Sequence, residues 1–154
     1  MKIYLAARYG RSAEMRGVRD ALEASGHEVV SGWIDAPAAT SPRERADLAV
    51  SALEEIRFCD VLISFTGGSD SERGGRHAEF GAALVLGKRL VVAGPREHVF
   101  HDLPQVEWYL DWAHLAMTLA PEFAEQAIER AAAAEGEAEV FWPGMNADYD
   151  PPEA

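Results

Sequence analysis

The stretch Asp60-Val61-Leu62-Ile63-Ser64-Phe65 decides the fold. A strand with one solvated face alternates apolar and polar residues, whereas this run is apolar at consecutive positions, so both of its faces are buried. Upstream, Ser41-Pro42-Arg43-Glu44 carries a capping-box Ser and Glu with Pro at the first helical position, and Leu48, Leu53 and Ile56 continue a helix to about Phe58. Downstream, a polar loop from Thr66 to Gly75 holds four glycines; a helix follows from about Arg76 to Leu86, closed by Gly87. Further out, Lys2–Ala7 and Arg89–Ala93 read as two more buried strands and His27–Ile34 as a third. Ser12 is expected to cap a helix through Met15, Val18 and Leu22 that stops at Ser25-Gly26. Val106–Leu110 reads as a short edge strand, with two short helices after it, the second from Pro121 to about Ala134.

Strand and helix alternate, which predicts a single-domain, doubly wound α/β fold: a Rossmann-like or flavodoxin-like parallel sheet with helices on both faces. In such sheets ligands bind beyond the carboxyl ends of the strands, so the loops 7–12, 33–41, 66–77 and 94–103 are the ones expected to carry function.

With 154 residues the chain suits one domain, burying roughly two thirds of its unfolded surface without metal or disulfide staples. Cys59 is its only cysteine, which excludes an intrachain disulfide and a multi-cysteine zinc site. Met1-Lys2 runs straight into a strand with no charged-then-apolar leader, and no apolar run approaches a membrane span; the expectation is a cytoplasmic protein. Fourteen Lys and Arg against 26 Asp and Glu give a net charge of −12, which argues against a nucleic-acid polymer or a membrane as partner. The excess is uneven: residues 121–154 hold nine acids and one base. Residues 1–120 are read as the working α/β domain and 121–154 as an acidic helix and tail.

Two places invite chemistry. The turn Ala7-Arg8-Tyr9-Gly10-Arg11-Ser12 joins a strand to a helix N-terminus, with two arginines and a glycine that permits close approach. Free amides and the positive dipole end make it an anion site; the alternative is a solvated turn with surface arginines. It lacks the GxGxxG fingerprint, so no dinucleotide cofactor is expected. Glu79, in Gly74-Gly75-Arg76-His77-Ala78-Glu79-Phe80-Gly81, is an acid one turn into a helix of small and apolar residues. It is either a site carboxylate at the cleft end of the sheet or a first-turn acid complementing the dipole. His77 lines that site or caps the helix. His98 and His101 share a loop without a recognised metal-ligand spacing, so no metal is expected.

Taken together, Ile3-Tyr4-Leu5-Ala6, Cys59-Asp60-Val61-Leu62-Ile63, Gly75-Arg76-His77-Ala78-Glu79-Phe80-Gly81 and Gly87-Lys88-Arg89 resemble the nucleoside 2-deoxyribosyltransferases and their relatives, the nucleoside 5′-monophosphate N-glycosidases. The resemblance covers roughly residues 2–95. It implies that Glu79 is a nucleophile on the anomeric carbon and that Tyr4 positions it. It also implies that Ala7, Arg8, Gly10, Arg11, Arg73, Gly75 and His77 border a small nucleoside or nucleotide, and that no cofactor is used. Sites in that family are completed by a neighbouring subunit, so a homodimer or homotetramer is implied, and the aromatic stretch Gly94–Trp112 is the expected contact surface. Two positions depart from the pattern. Ala52 stands where the family has a leaving-group aspartate, and Arg73 stands where it has Ser or Asp. Two other readings remain: a nucleotide-sensing module without turnover, favoured by Ala52, and a lysine-decarboxylase-like phosphoribohydrolase, whose Gly-Gly-x-Gly-Thr loop Gly74-Gly75-Arg76-His77 does not complete.

Overall fold

A computed structural model describes residues 1–68 and 74–120. Its strands are β1 (Lys2–Ala6), β2 (Glu28–Val29), β3 (Val61–Phe65), β4 (Arg89–Ala93) and β5 (Val106–Tyr109); its helices are α1 (Ser12–Ala24), α2 (Pro42–Phe58), α3 (Gly75–Val85) and α4 (Trp112–Leu119). Short 3₁₀ turns occupy Tyr9–Arg11, Gly32–Ile34 and Val99–Asp102. All five strands are parallel, in the order β2-β1-β3-β4-β5, with Ile3 opposite Val61 and Leu62 opposite Leu90. This is the expected doubly wound α/β sheet. Its strand order reverses between β1 and β3, and that gap is the switch point where such sheets open a cleft.

The two-residue period of the strands sorts the core into two layers. Ile3, Leu5, Val61, Ile63 and Val91 pack under Met15, Val18 and Leu22 of α1 and Leu115 and Leu119 of α4. Tyr4, Ala6, Leu62, Leu90 and Val92 face the other way, under Ala52 and Ile56 of α2 and Phe80 and Ala83 of α3. Tyr4 is thus directed at α2 and α3 by its parity alone. Helix α2 starts at the expected capping box: the Ser41 hydroxyl accepts the Glu44 N–H at 3.2 Å, and the Glu44 carboxylate accepts the backbone N–H groups of Thr40 and Ser41.

Two expectations fail. The segment His27–Ile34 forms only the two-residue β2, because side chains take over from the backbone ladder. The Leu5 N–H donates to Ser31 Oγ at 2.6 Å, and Trp33 Nε1–H donates to the Leu5 carbonyl at 2.8 Å, while Gly32–Ile34 coils into a 3₁₀ turn. Nor does Ser12 cap α1. The 3₁₀ turn Tyr9–Arg11 runs directly into the helix, and Ser12 is its first residue. The expected helix at 121–134, the acidic tail and Arg73 lie outside the described residues. No helix among those described is long and apolar enough to cross a membrane.

Candidate active site

Helix α3 begins at the carboxyl edge of the sheet, and Glu79 lies one turn in, on the flank turned toward β1. Because Tyr4 projects to the same side, its hydroxyl donates to Glu79 Oε1 at 2.9 Å, joining residues 75 positions apart. Burial pushes the Glu79 carboxyl above its ordinary range; the Tyr4 hydrogen bond and Arg76 oppose that shift, and the charge of Glu55 adds to it. Burial, followed by the negative charge of Glu79, drives the Tyr4 phenol far upward, so it stays a neutral donor. The pair is therefore a carboxylate partly stripped of water, held at one oxygen by a group that keeps its proton.

Arg76, which the sequence places in an ordinary first helical turn, is buried and anchors this end of α3. Its Nη1 donates to the Phe65 carbonyl at 2.8 Å, and its Nη2 pairs with Glu97. Glu97 also accepts the Gly67 N–H at 2.9 Å. Burial works to raise the Glu97 carboxyl, but the Gly67 amide and Arg76 outweigh it and hold the group below its usual range. One ion pair thus ties β3, α3 and the loop after β4 together. In that loop, the Glu97 N–H donates to His101 Nδ1 at 3.2 Å.

His77, His98 and His101 do meet, but ring against ring. The centroid separations are 4.9 Å for His77–His98 and 3.8 Å for His98–His101, and the His101 ring packs 4.8 Å from that of Phe80. Among the described residues, no group of three His, Cys, Asp or Glu side chains is arranged to hold a metal ion.

In the turn after β1, Ala7 is half-buried at the end of the strand and Gly10 is exposed. Arg11 donates through Nε and Nη2 to the Glu14 carboxylate at 2.7 and 2.6 Å and through Nη1 to the Thr66 carbonyl at 3.2 Å, so its donors brace α1 against β3. Arg8 crosses to Gly68, where a Cβ would lie 2.0 Å from its Nη1. Gly75 and His77 are exposed on the first turn of α3. Of the residues proposed from sequence, Tyr4 and Glu79 touch, while Arg8, Gly75 and His77 lie on the loops and helix end around them.

Ala52 is buried in the layer containing Tyr4 and Phe80 and offers no polar atom to the cleft. One turn later, Glu55 is half-buried, and its Oε2 accepts the Gly32 N–H at 3.2 Å. Burial raises its carboxyl, with the Gly32 amide opposing, and its charge acts on both Glu79 and Tyr4. Sequence reasoning could not separate Glu55 from its neighbour Glu54; only the helix phase set by Ala52 and Ile56 distinguishes them.

Together, fold and site define a doubly wound α/β protein with a tyrosine-held carboxylate at its switch point. The structure is similar to that of a 2-deoxyribosyltransferase from Bacillus psychrosaccharolyticus, with a TM-score of 0.60 at 22% identity over 75% of this chain and 90% of that one. It is likewise similar to the CMP N-glycosidase of Clostridium botulinum, with a TM-score of 0.53 at 23% identity over 77% of this chain and 98% of that one. At these identities the likeness establishes the fold. No protein-family model matches the sequence, and no curated protein does.

Proposed function

We propose that this protein breaks the N-glycosidic bond of a nucleoside or nucleoside 5′-monophosphate through a covalent glycosyl-Glu79 intermediate. The observation carrying this reading is the half-buried Glu79 carboxylate held by Tyr4 at the sheet's switch point. Tyr4 engages Oε1, which leaves the second oxygen to attack the anomeric carbon as the bond to the base breaks. A partly desolvated carboxylate suits an oxocarbenium-like transition state, which it first stabilises and then traps. A second base as acceptor completes a transfer, and water completes a hydrolysis. Both fold neighbours, by name, act at such a bond. The reaction draws on no cofactor.

The buried Ala52 favours a second reading, a nucleotide-binding module without turnover. One assay separates the two: incubate the protein with nucleosides and their 5′-monophosphates, with and without an acceptor base, and measure free and exchanged base. The 5′-monophosphates are included because Arg8 lies beside the cleft. Release or exchange that falls by orders of magnitude in Glu79→Gln supports the enzyme. A loss below about tenfold removes the covalent mechanism, and binding without release supports the module.

A further inference from the structure

A carboxylate that traps the sugar solves half of the problem, because the departing base leaves as an unstable anion unless it receives a proton. Tyr4 cannot supply one, since its phenol is pushed far upward and its hydrogen is committed to Glu79. Glu55 is the other acid whose charge bears on both members of the pair. It lies three residues after Ala52 on the flank of α2 beside the face that covers Tyr4. Four residues before it on the same flank, Ser51 lines a hollow of about 260 Å³ formed with Pro37, Ala38, Asp47 and Leu48. Glu55 thus lies one turn beyond a recess with apolar walls and two acids, Glu44 and Asp47, able to take hydrogen bonds from a planar base.

The backbone opposite Glu55 is shaped to receive it. Its Oε1 lies 2.7 Å from where a Cβ on residue 32 would be, so only glycine lets the carboxylate rest against that amide. Its described partners are one backbone N–H and no cation, and burial raises its carboxyl, which favours the protonated form over that of an exposed glutamate.

We propose that Glu55 is the proton donor to the leaving base and the proton acceptor of the second step, an inference that rests on the glycosyl-transfer reading above. As the Glu79 oxygen forms its bond to the anomeric carbon, the C–N electron pair passes to the base nitrogen and the base takes the Glu55 proton. In the second step water, or the N–H of an incoming base, gives its proton to the Glu55 carboxylate and bonds to the anomeric carbon; the ester bond breaks and its electron pair returns to Glu79.

Leaving-group dependence tests the assignment. The full-length protein and its Glu55→Gln variant are compared on the fastest-cleaved nucleoside or nucleotide of the panel and on the 4-nitrophenyl glycoside of the same sugar, whose phenolate departs without a proton. Gln keeps an acceptor for the Gly32 amide, so the fold is preserved. The expected result is a loss of about 10²–10³-fold in base release with less than about fivefold loss in the nitrophenolate burst. Gly32→Ala, which displaces the carboxylate without touching Glu79, is expected to reproduce the same selectivity in milder form. Equal losses on both substrates, or base release as fast in Glu55→Gln as in the wild type, would overturn the role of Glu55 and leave glycosyl transfer standing. Absence of release from every substrate in the wild type overturns both.

Discussion

The Tyr4–Glu79 contact sets what each of the two residues contributes. The hydroxyl supplies one hydrogen bond to a half-buried charge, an interaction worth roughly 1.5–3 kcal/mol, so Tyr4→Phe is expected to lower kcat/KM by about 10- to 100-fold. That bond also lowers the Glu79 carboxyl, and its loss lets burial raise it further; the acid limb of the pH–rate profile should therefore move to higher pH. Because the folded state raises this carboxyl above its unfolded value, ionised Glu79 costs the fold stability, fully so above its folded pKa. Glu79→Gln should accordingly melt higher than the wild type at pH 8, and the gain should vanish by pH 4, where the unfolded carboxyl is also protonated. Equal melting temperatures at pH 8 would show the carboxylate to be solvated.

Among the elements, the Arg76–Glu97 pair and the His101 ring behind it decide whether α3 keeps its place. Burial, with His98 next, pushes the His101 imidazole down to about 4. The unfolded chain therefore binds this proton near pH 6.5 and the folded chain only near pH 4, so the fold loses stability as pH falls between those values and loses no more below them. Urea midpoints at pH 7 and pH 4.5 should differ, and His101→Phe, which keeps a ring against Phe80, should flatten much of that difference. An undiminished pH dependence in the variant would place its source elsewhere. These elements also show what a sequence reveals. Buried strands such as Val61–Phe65 were legible because apolar runs have few other uses, and α2 because Ser41, Pro42 and Glu44 are a local signal. Glu79 stood out as an acid among small residues. Arg76 did not: a cation in a first helical turn is common, and only the three-dimensional approach of Phe65 and Glu97 makes it a buried anchor. Residues 30–34 misled because Ser31 and Trp33 satisfy strand backbone with side-chain atoms, which no periodicity records.

For the whole molecule, the described surface offers a second apolar face to another copy besides the stretch 94–112. Part of the aromatic stretch 94–112 is spent inside, where His101 packs on Phe80 and the Trp112 ring lies 6.2 Å from that of Phe65, while Val99, Phe100, Trp108 and Leu110 are exposed. Further exposed large apolar residues lie on the neighbouring helices that carry Glu55 and Glu79. Val50, Leu53 and Phe58 are exposed on α2, Val85 on α3 is 87% exposed, and Leu86 follows it. We expect a homodimer through this helical face, with a mass by light scattering near twice 16.8 kDa. At −12 per chain, association should tighten as salt screens repulsion, and Leu53→Glu should shift the population toward monomer. A single 16.8 kDa species at micromolar concentration, insensitive to salt, would rule this out.

The brevity of β2 bears on which routes two copies of this chain have to associate. A parallel sheet ending in a long bare strand offers a row of unpaired amides and carbonyls to any other chain, the template on which fibrils and swapped oligomers grow. Here that border is two residues long, and beyond it Ser31 and Trp33 occupy the backbone groups of Leu5 with side-chain atoms that cannot hand the ladder on. The β2 edge is stoppered. On this side of the sheet, self-association is left to helix faces rather than to sheet extension, whereas β5 forms the opposite border.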